Sequence, residues 1–281
     1  MIINNLRIIV DKNNDKNSLY LRNLLKEQLQ NYILNYIYNS QYGEKFIFKG
    51  GTCLRFCFEL PRLSEDLDFD VEDFSRFDFD KFNEDIKNYF STKLKYADLN
   101  IQISGKNKML YFKFPVLKKI SFPVNKNKPT ENNLFLRIDL SAIKGKNFTK
   151  EVSLKSTSDF SFIIKRYSLP DLFSGKLAAV LSRESWEGKE KQPRFKGRDY
   201  FDICWLMQNK VKPNVPYLKS LIDVKSDEEL LKKLKNKFQA AIKKRLILKD
   251  DLLPFFSDAN FVDNFINNLD NLLFSLIAYL K

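Results

Sequence analysis

Two short stretches of this chain hold residue types suited to phosphoryl chemistry: Gly50-Gly51-Thr52, and the acidic run Ser64-Glu65-Asp66-Leu67-Asp68-Phe69-Asp70. Adjacent glycines let a backbone come close to a bulky anion. If a helix starts there, its free N–H groups and dipole favour negative charge, and Thr52 can cap it or donate to phosphate. Alone, such a turn is more often structural. In the acidic run, Asp66, Asp68 and Asp70 alternate with apolar residues, so an extended strand sets them on one face, about 6.6 Å apart. Like charges so placed repel, and Mg²⁺, a hard cation that takes oxygen ligands and bridges phosphates, relieves them. Alone, this row also reads as a solvated strand edge. In this order, a glycine turn, a short helix and an Asp-x-Asp strand place a phosphate cradle beside a metal site.

Periodicity predicts the elements that must hold these residues. Residues 17–40 have helical spacing, a short strand at 45–48 enters the glycine turn, and a helix at 53–60 is stopped by Pro61. The acidic strand spans 66–71, and a helix follows at 78–95. Further strands are expected at 99–104, 109–117, 134–141 and 160–166, with Asp139 among apolar neighbours in the third. From there the pattern is helical, at 170–186, 197–209, 226–241 and 259–280. No internal repeat is visible. The expected fold class is α+β: a mixed β-sheet flanked by helices over residues 1–168, then a helical domain over 169–281.

Composition narrows the chemistry. The 281 residues contain no His, which removes Ser-His-Asp triads, histidine zinc sites and histidine bases. Catalysis must run on carboxylates, Lys, Arg, hydroxyls and bound metal. The 48 Lys+Arg against 35 Asp+Glu give a net charge of +13, which fits a polyanionic partner or a lysine-rich codon bias. Lys106 to Lys128 holds seven lysines and no acid, which tilts the balance towards nucleic acid. Cys53, Cys57 and Cys204 suit reduced core residues better than a disulfide framework. The start, Met1-Ile2-Ile3-Asn4-Asn5, lacks signal-peptide character, and no apolar window is long enough to span a bilayer. A cytoplasmic protein without membrane contact is expected.

The stretch Phe48-Lys49-Gly50-Gly51-Thr52, followed by Leu60-Pro61-Arg62-Leu63-Ser64-Glu65-Asp66-Leu67-Asp68-Phe69, resembles the signature of the abortive-infection nucleotidyltransferase toxins. This is the AbiEii/AbiGii-like group of the DNA polymerase β nucleotidyltransferase superfamily. A second block is also similar: Leu172-Phe173-Ser174-Gly175-Lys176-Leu177-Ala178-Ala179-Val180-Leu181-Ser182-Arg183, then Lys196-Gly197-Arg198-Asp199-Tyr200-Phe201-Asp202-Ile203. The resemblance implies that Asp66 and Asp68 hold Mg²⁺, with Mn²⁺ able to replace it, and that Asp139 is a third metal carboxylate. It implies nucleoside triphosphate contacts from Gly50, Gly51, Thr52, Ser64 and Arg198. Lys176 would neutralise phosphate charge and Asp199 would belong to the active site. The implied acceptor is a tRNA 3′ end or other RNA, the implied role a growth-inhibiting toxin of a toxin–antitoxin or phage-defence pair, and the implied partner an antitoxin protein.

Each assignment has a plainer alternative. Lys176 can be a solvated residue on a core helix, Arg198 and Asp199 a charge pair at a helix start, and Asp139 a paired structural acid. Glu65 should face away from Asp66 and Asp68, and Asp70 can lie beyond metal reach. Phe46, Phe48, Phe56, Phe58, Phe112 and Phe114 are expected in the core. The rival functions are nucleotidylation of a protein side chain, a non-catalytic RNA-binding module on the same fold, and benign tRNA-end repair.

Overall fold

Seven strands join in one mixed sheet in the computed structural model, which describes residues 1–104, 109–123, 132–182, 186–187, 192–193, 196–224 and 226–280. They are β1 (Phe46–Lys49), β2 (Asp66–Val71), β3 (Asn100–Ile103), β4 (Met109–Phe114), β5 (Leu134–Ala142), β6 (Lys150–Ser156) and β7 (Ser161–Tyr167). Their order is β3-β4-β5-β2-β1-β7-β6. The acidic strand β2 is central, antiparallel to β1 and parallel to β5. The α+β class expected from the sequence is the one observed.

Contacts divide the chain into two compact units, residues 1–143 with 151–166, and residues 144–150 with 167–281. In the first, period-two alternation splits the sheet into an apolar and a polar face. Leu67, Phe69 and Val71 of β2 are buried together with Phe46 and Phe48 of β1. Phe69 meets Phe46 at 5.3 Å and Phe48 at 5.0 Å between ring centroids. Helices α2 (Ser18–Tyr38) and α4 (Phe79–Asn88) cover this face, Phe82 lying 5.6 Å from Phe46 and 6.1 Å from Tyr36. Such rings each bury on the order of 150–250 Å², so this cluster dominates the core. The six phenylalanines expected in the core mostly lie there, but Phe58 is only half-buried, stacked under the Arg166 guanidinium at 4.4 Å.

Local chemistry sets the ends. Asn17 and Asp78 cap α2 and α4 by accepting from Leu19 N and Lys81 N. β4 stops at Phe114 because Pro115 has no N–H for the ladder. Helix α3 (Gly50–Phe58) begins at Gly50, three residues before its predicted start. The predicted helix over 78–95 ends at Asn88 and continues as a wider turn, Tyr89–Lys93.

The second unit is helical: α5 (Leu169–Ser182), α6 (Gly197–Gln208), α7 (Val215–Leu221), α8 (Asp227–Ile242), α9 (Arg245–Leu252), α10 (Ala259–Asn267) and α11 (Leu269–Tyr279). The predicted 259–280 helix is thus broken at Asn268. Phe173, Leu177, Leu206, Leu234, Phe238 and Leu273 form its fully buried core. All three cysteines are free thiols. Among the described residues, no helix is long and apolar enough to cross a membrane. Of the lysine run, Lys106, Lys108, Lys126 and Lys128 lie outside the described residues, as does Arg183.

Candidate active site

The glycine turn sits where β1 passes into α3, and each glycine is required by a neighbour. Gly50 has φ +81, and a Cβ there would lie 2.3 Å from Oδ2 of Asp68. A Cβ on Gly51 would lie 2.4 Å from Nη2 of Arg62. The turn is therefore gripped between the Asp68 carboxylate and a buried guanidinium, only 2% exposed, whose Nη1 donates to Leu63 O at 2.8 Å. Gly50→Ala is expected to cost at least about 1–2 kcal/mol from the left-handed backbone alone. It should also push the Asp68 carboxylate aside, so activity should fall further than the shift in denaturant midpoint accounts for.

Thr52 and Ser64 are buried, not open to solvent. The Thr52 hydroxyl donates to the Asp66 carbonyl and shares a 2.8 Å hydrogen bond with the Ser64 hydroxyl. Gln30 of α2 donates to Ser64 O at 3.1 Å. These bonds fasten the first turn of α3 to the start of β2, which fixes the glycines against the acidic strand.

On β2 the three aspartates share the polar face, but their surroundings differ. Asp66 faces Arg137 across the β2–β5 ladder and is bridged by its Nη2 at 2.5 Å. Asp68 is paired in register with Lys49 on one side and Asp139 on the other. Asp70 is buried; Lys49 Nζ lies 2.6 Å from its Oδ1, and the Ser141 hydroxyl bonds the same oxygen at 2.9 Å. That lysine neutralises Asp70 and ties β1, β2 and β5 together beside the site. Glu65 points away, as expected, to Lys26 at 3.4 Å.

Among the described residues, no three acidic or thiol side chains form a ready-made metal cage. The donors nonetheless suit Mg²⁺, which is commonly held by one or two carboxylates plus substrate phosphates. Asp66 and Asp68 offer that pair, and register sets Asp139 beside Asp68. Arg137 at present supplies the counter-charge to Asp66. Its Nε is a buried donor with no hydrogen-bond acceptor among the described residues.

In the second unit, Lys176 of α5 is no solvated residue. Its side chain is 11% exposed and lies between Asp199 at 3.1 Å and the fully buried Asp202 at 2.7 Å, both on α6. Arg198 reaches Asp251 at 3.3 Å and lies over the Phe255 ring at 4.4 Å. Gly197 lets α6 begin against α9, since a Cβ there would lie 2.4 Å from Leu248 O.

Sequence reasoning passed over Lys49, Arg62, Arg137 and Asp202 as site residues. Arg137 had a signal, standing two residues before Asp139 and so on the same strand face. Arg62 and Asp202 lie inside the quoted motifs, but burial of a charge leaves no mark in the sequence.

Comparisons with known proteins bear on the family. The model of the family described as nucleotidyl transferase AbiEii toxin, type IV toxin–antitoxin system, matches residues 32–261. No curated protein sequence matches significantly. Among solved structures, JHP933 from Helicobacter pylori is similar in fold, with a TM-score of 0.51 at 15% identity, covering 92% of this chain and 93% of its own. A second H. pylori structure, provisionally described as a nucleotidyltransferase, has a TM-score of 0.49 at 16% identity, with 92% and 95% covered.

Proposed function

The chain belongs to the AbiEii family of nucleotidyl transferase toxins of type IV toxin–antitoxin systems, and we propose that it moves NMP from an NTP to the 3′ end of an RNA in a Mg²⁺-dependent reaction. It is thus a transferase enzyme with an antitoxin partner, and tRNA is the proposed acceptor. The observation that carries the reading is the Asp68 carboxylate held against Gly50, which sets a carboxylate beside an anion-accepting turn.

Asp66 and Asp68 would hold the metal, and a divalent ion bound there would lower the acceptor hydroxyl's pKa and offset charge on the phosphoryl oxygens. The Gly50–Gly51 backbone at the start of α3 receives the β- and γ-phosphates. Thr52 and Ser64 hold that turn in place, and Lys49 keeps Asp70 neutralised. Lys176, Asp199 and Arg198 are assigned to the reaction on the strength of the second sequence block, with Lys176 countering phosphate charge. Most of the rate would come from positioning and electrostatics. The surplus of 13 positive charges supports a polyanionic acceptor.

Incubation with each labelled NTP, with total tRNA or with lysate protein, tests this directly. Label should enter RNA and vanish on chelation. Label confined to protein defeats the RNA acceptor, and growth arrest undiminished by Asp68→Ala defeats a catalytic toxin.

A further inference from the structure

In-line displacement fixes a direction across this sheet. The leaving pyrophosphate lies at the Gly50–Gly51 turn, on the β1 side of β2, so the attacking hydroxyl must come from the opposite side, over β5 and β4. This rests on the function proposed above. Along that path the polar face changes character. Asp66 is paired with Arg137 of β5, and Arg137 with Tyr111 of β4, so one row crosses three strands. Two strand spacings put Tyr111 about 10 Å from Asp66, comparable with one nucleoside from hydroxyl to base.

Tyr111 is 39% and Phe135 45% exposed. They are diagonal neighbours on this face, because Tyr111 pairs with Arg137 and Phe135 with Lys113. The alternation that buries Phe112 and Phe114 turns Tyr111 and Lys113 outward. Rings left this open on a sheet's polar face, beside carboxylates, add little to the core. Two open rings beside a lysine and an arginine are what a single-stranded nucleic acid uses, with bases stacked on rings and phosphates on cations.

We propose that Tyr111 and Phe135 form the stacking platform for the single-stranded 3′ end of the acceptor RNA. The terminal base lies on Tyr111 with its hydroxyl towards Asp139 and Asp66, the preceding base lies on Phe135, and Lys113 contacts the phosphate between them. The platform selects an unpaired nucleotide end, which a protein hydroxyl cannot satisfy.

The test uses the full chain, one labelled NTP and a short RNA with a single-stranded 3′ end, titrated separately in NTP and in RNA. Tyr111→Ala with Phe135→Ala should raise the KM for RNA roughly 10- to 100-fold, given typical stacking losses, and leave the KM for NTP nearly unchanged. Tyr111→Phe keeps the ring and should behave as wild type. An RNA whose terminal nucleotide is abasic should be a poor acceptor for the wild type and no poorer for the double variant. Because both rings are exposed, the melting temperature should hold. An unchanged KM for RNA, a loss falling on NTP instead, or equal use of the abasic RNA by the wild type overturns the platform while leaving the transferase reading intact. A wild-type chain that labels no RNA overturns that reading and the platform with it.

Discussion

Asp68→Asn is expected to slow nucleotide transfer on the order of 10³-fold or more, as loss of a group that organises phosphoryl charge does, without weakening the fold. Asp68 stands between Lys49 and Asp139 in register, on a face that also carries Asp66. Removing one negative charge from that row lowers repulsion, so the melting temperature should stay level or rise. Asn keeps the shape that fits against Gly50 and loses only the charge. A folding defect of similar size to the activity defect would assign Asp68 a structural role. Rate and thermal midpoint, measured on one preparation, decide between the two.

Lys176→Met should have the largest effect on stability. It leaves Asp199 and the fully buried Asp202 without the cation between them. Breaking a buried ion pair from one side typically costs about 3–5 kcal/mol, because the remaining charge stays desolvated. The loss should appear as faster amide exchange in α5 and α6, with β1 and β2 little affected. Adding Asp202→Leu removes most of the stranded charge and should restore much of the stability. If transfer remains lost in the restored double variant, Lys176 acts in the reaction; if it returns, the lysine only holds α5 to α6.

Legibility in the sequence followed exposure. β2 was read to both its ends, because acid and apolar residues alternate without a break from Asp66 to Val71. Helix α1 (Ile2–Lys12) was missed, since only Ile2 and Leu6 are buried and its remaining apolar residues, Ile3, Ile8, Ile9 and Val10, lie partly or fully open. Strand β6 was missed for a related reason: it is an edge strand whose apolar residues, Val152 and Leu154, are 66% and 73% exposed. No buried face imposes a pattern on it. Burial of a charge leaves no such pattern. Arg62, quoted only as part of a motif, is among the most buried side chains and props the glycine turn. Motif order points to a candidate site, but which of its charges neighbours already compensate is visible only in the fold.

The last two strands beside β1 come late in the chain. Residues 151–166 return to the first unit after 144–150 have joined the second, and β7 is the strand that pairs with the free side of β1 at Phe48 and Arg166. A ribosome making this protein therefore exposes the edge of the strand that bears the glycine turn long before its neighbour exists. At common elongation speeds the two are born about 6 to 24 seconds apart. During that interval β1 has no neighbour on that side and Lys176 and Asp199 do not yet exist, so a nascent or prematurely ended chain up to residue 143 should be harmless to its host. Toxicity should then wait for α5 and α6 as well as for β7.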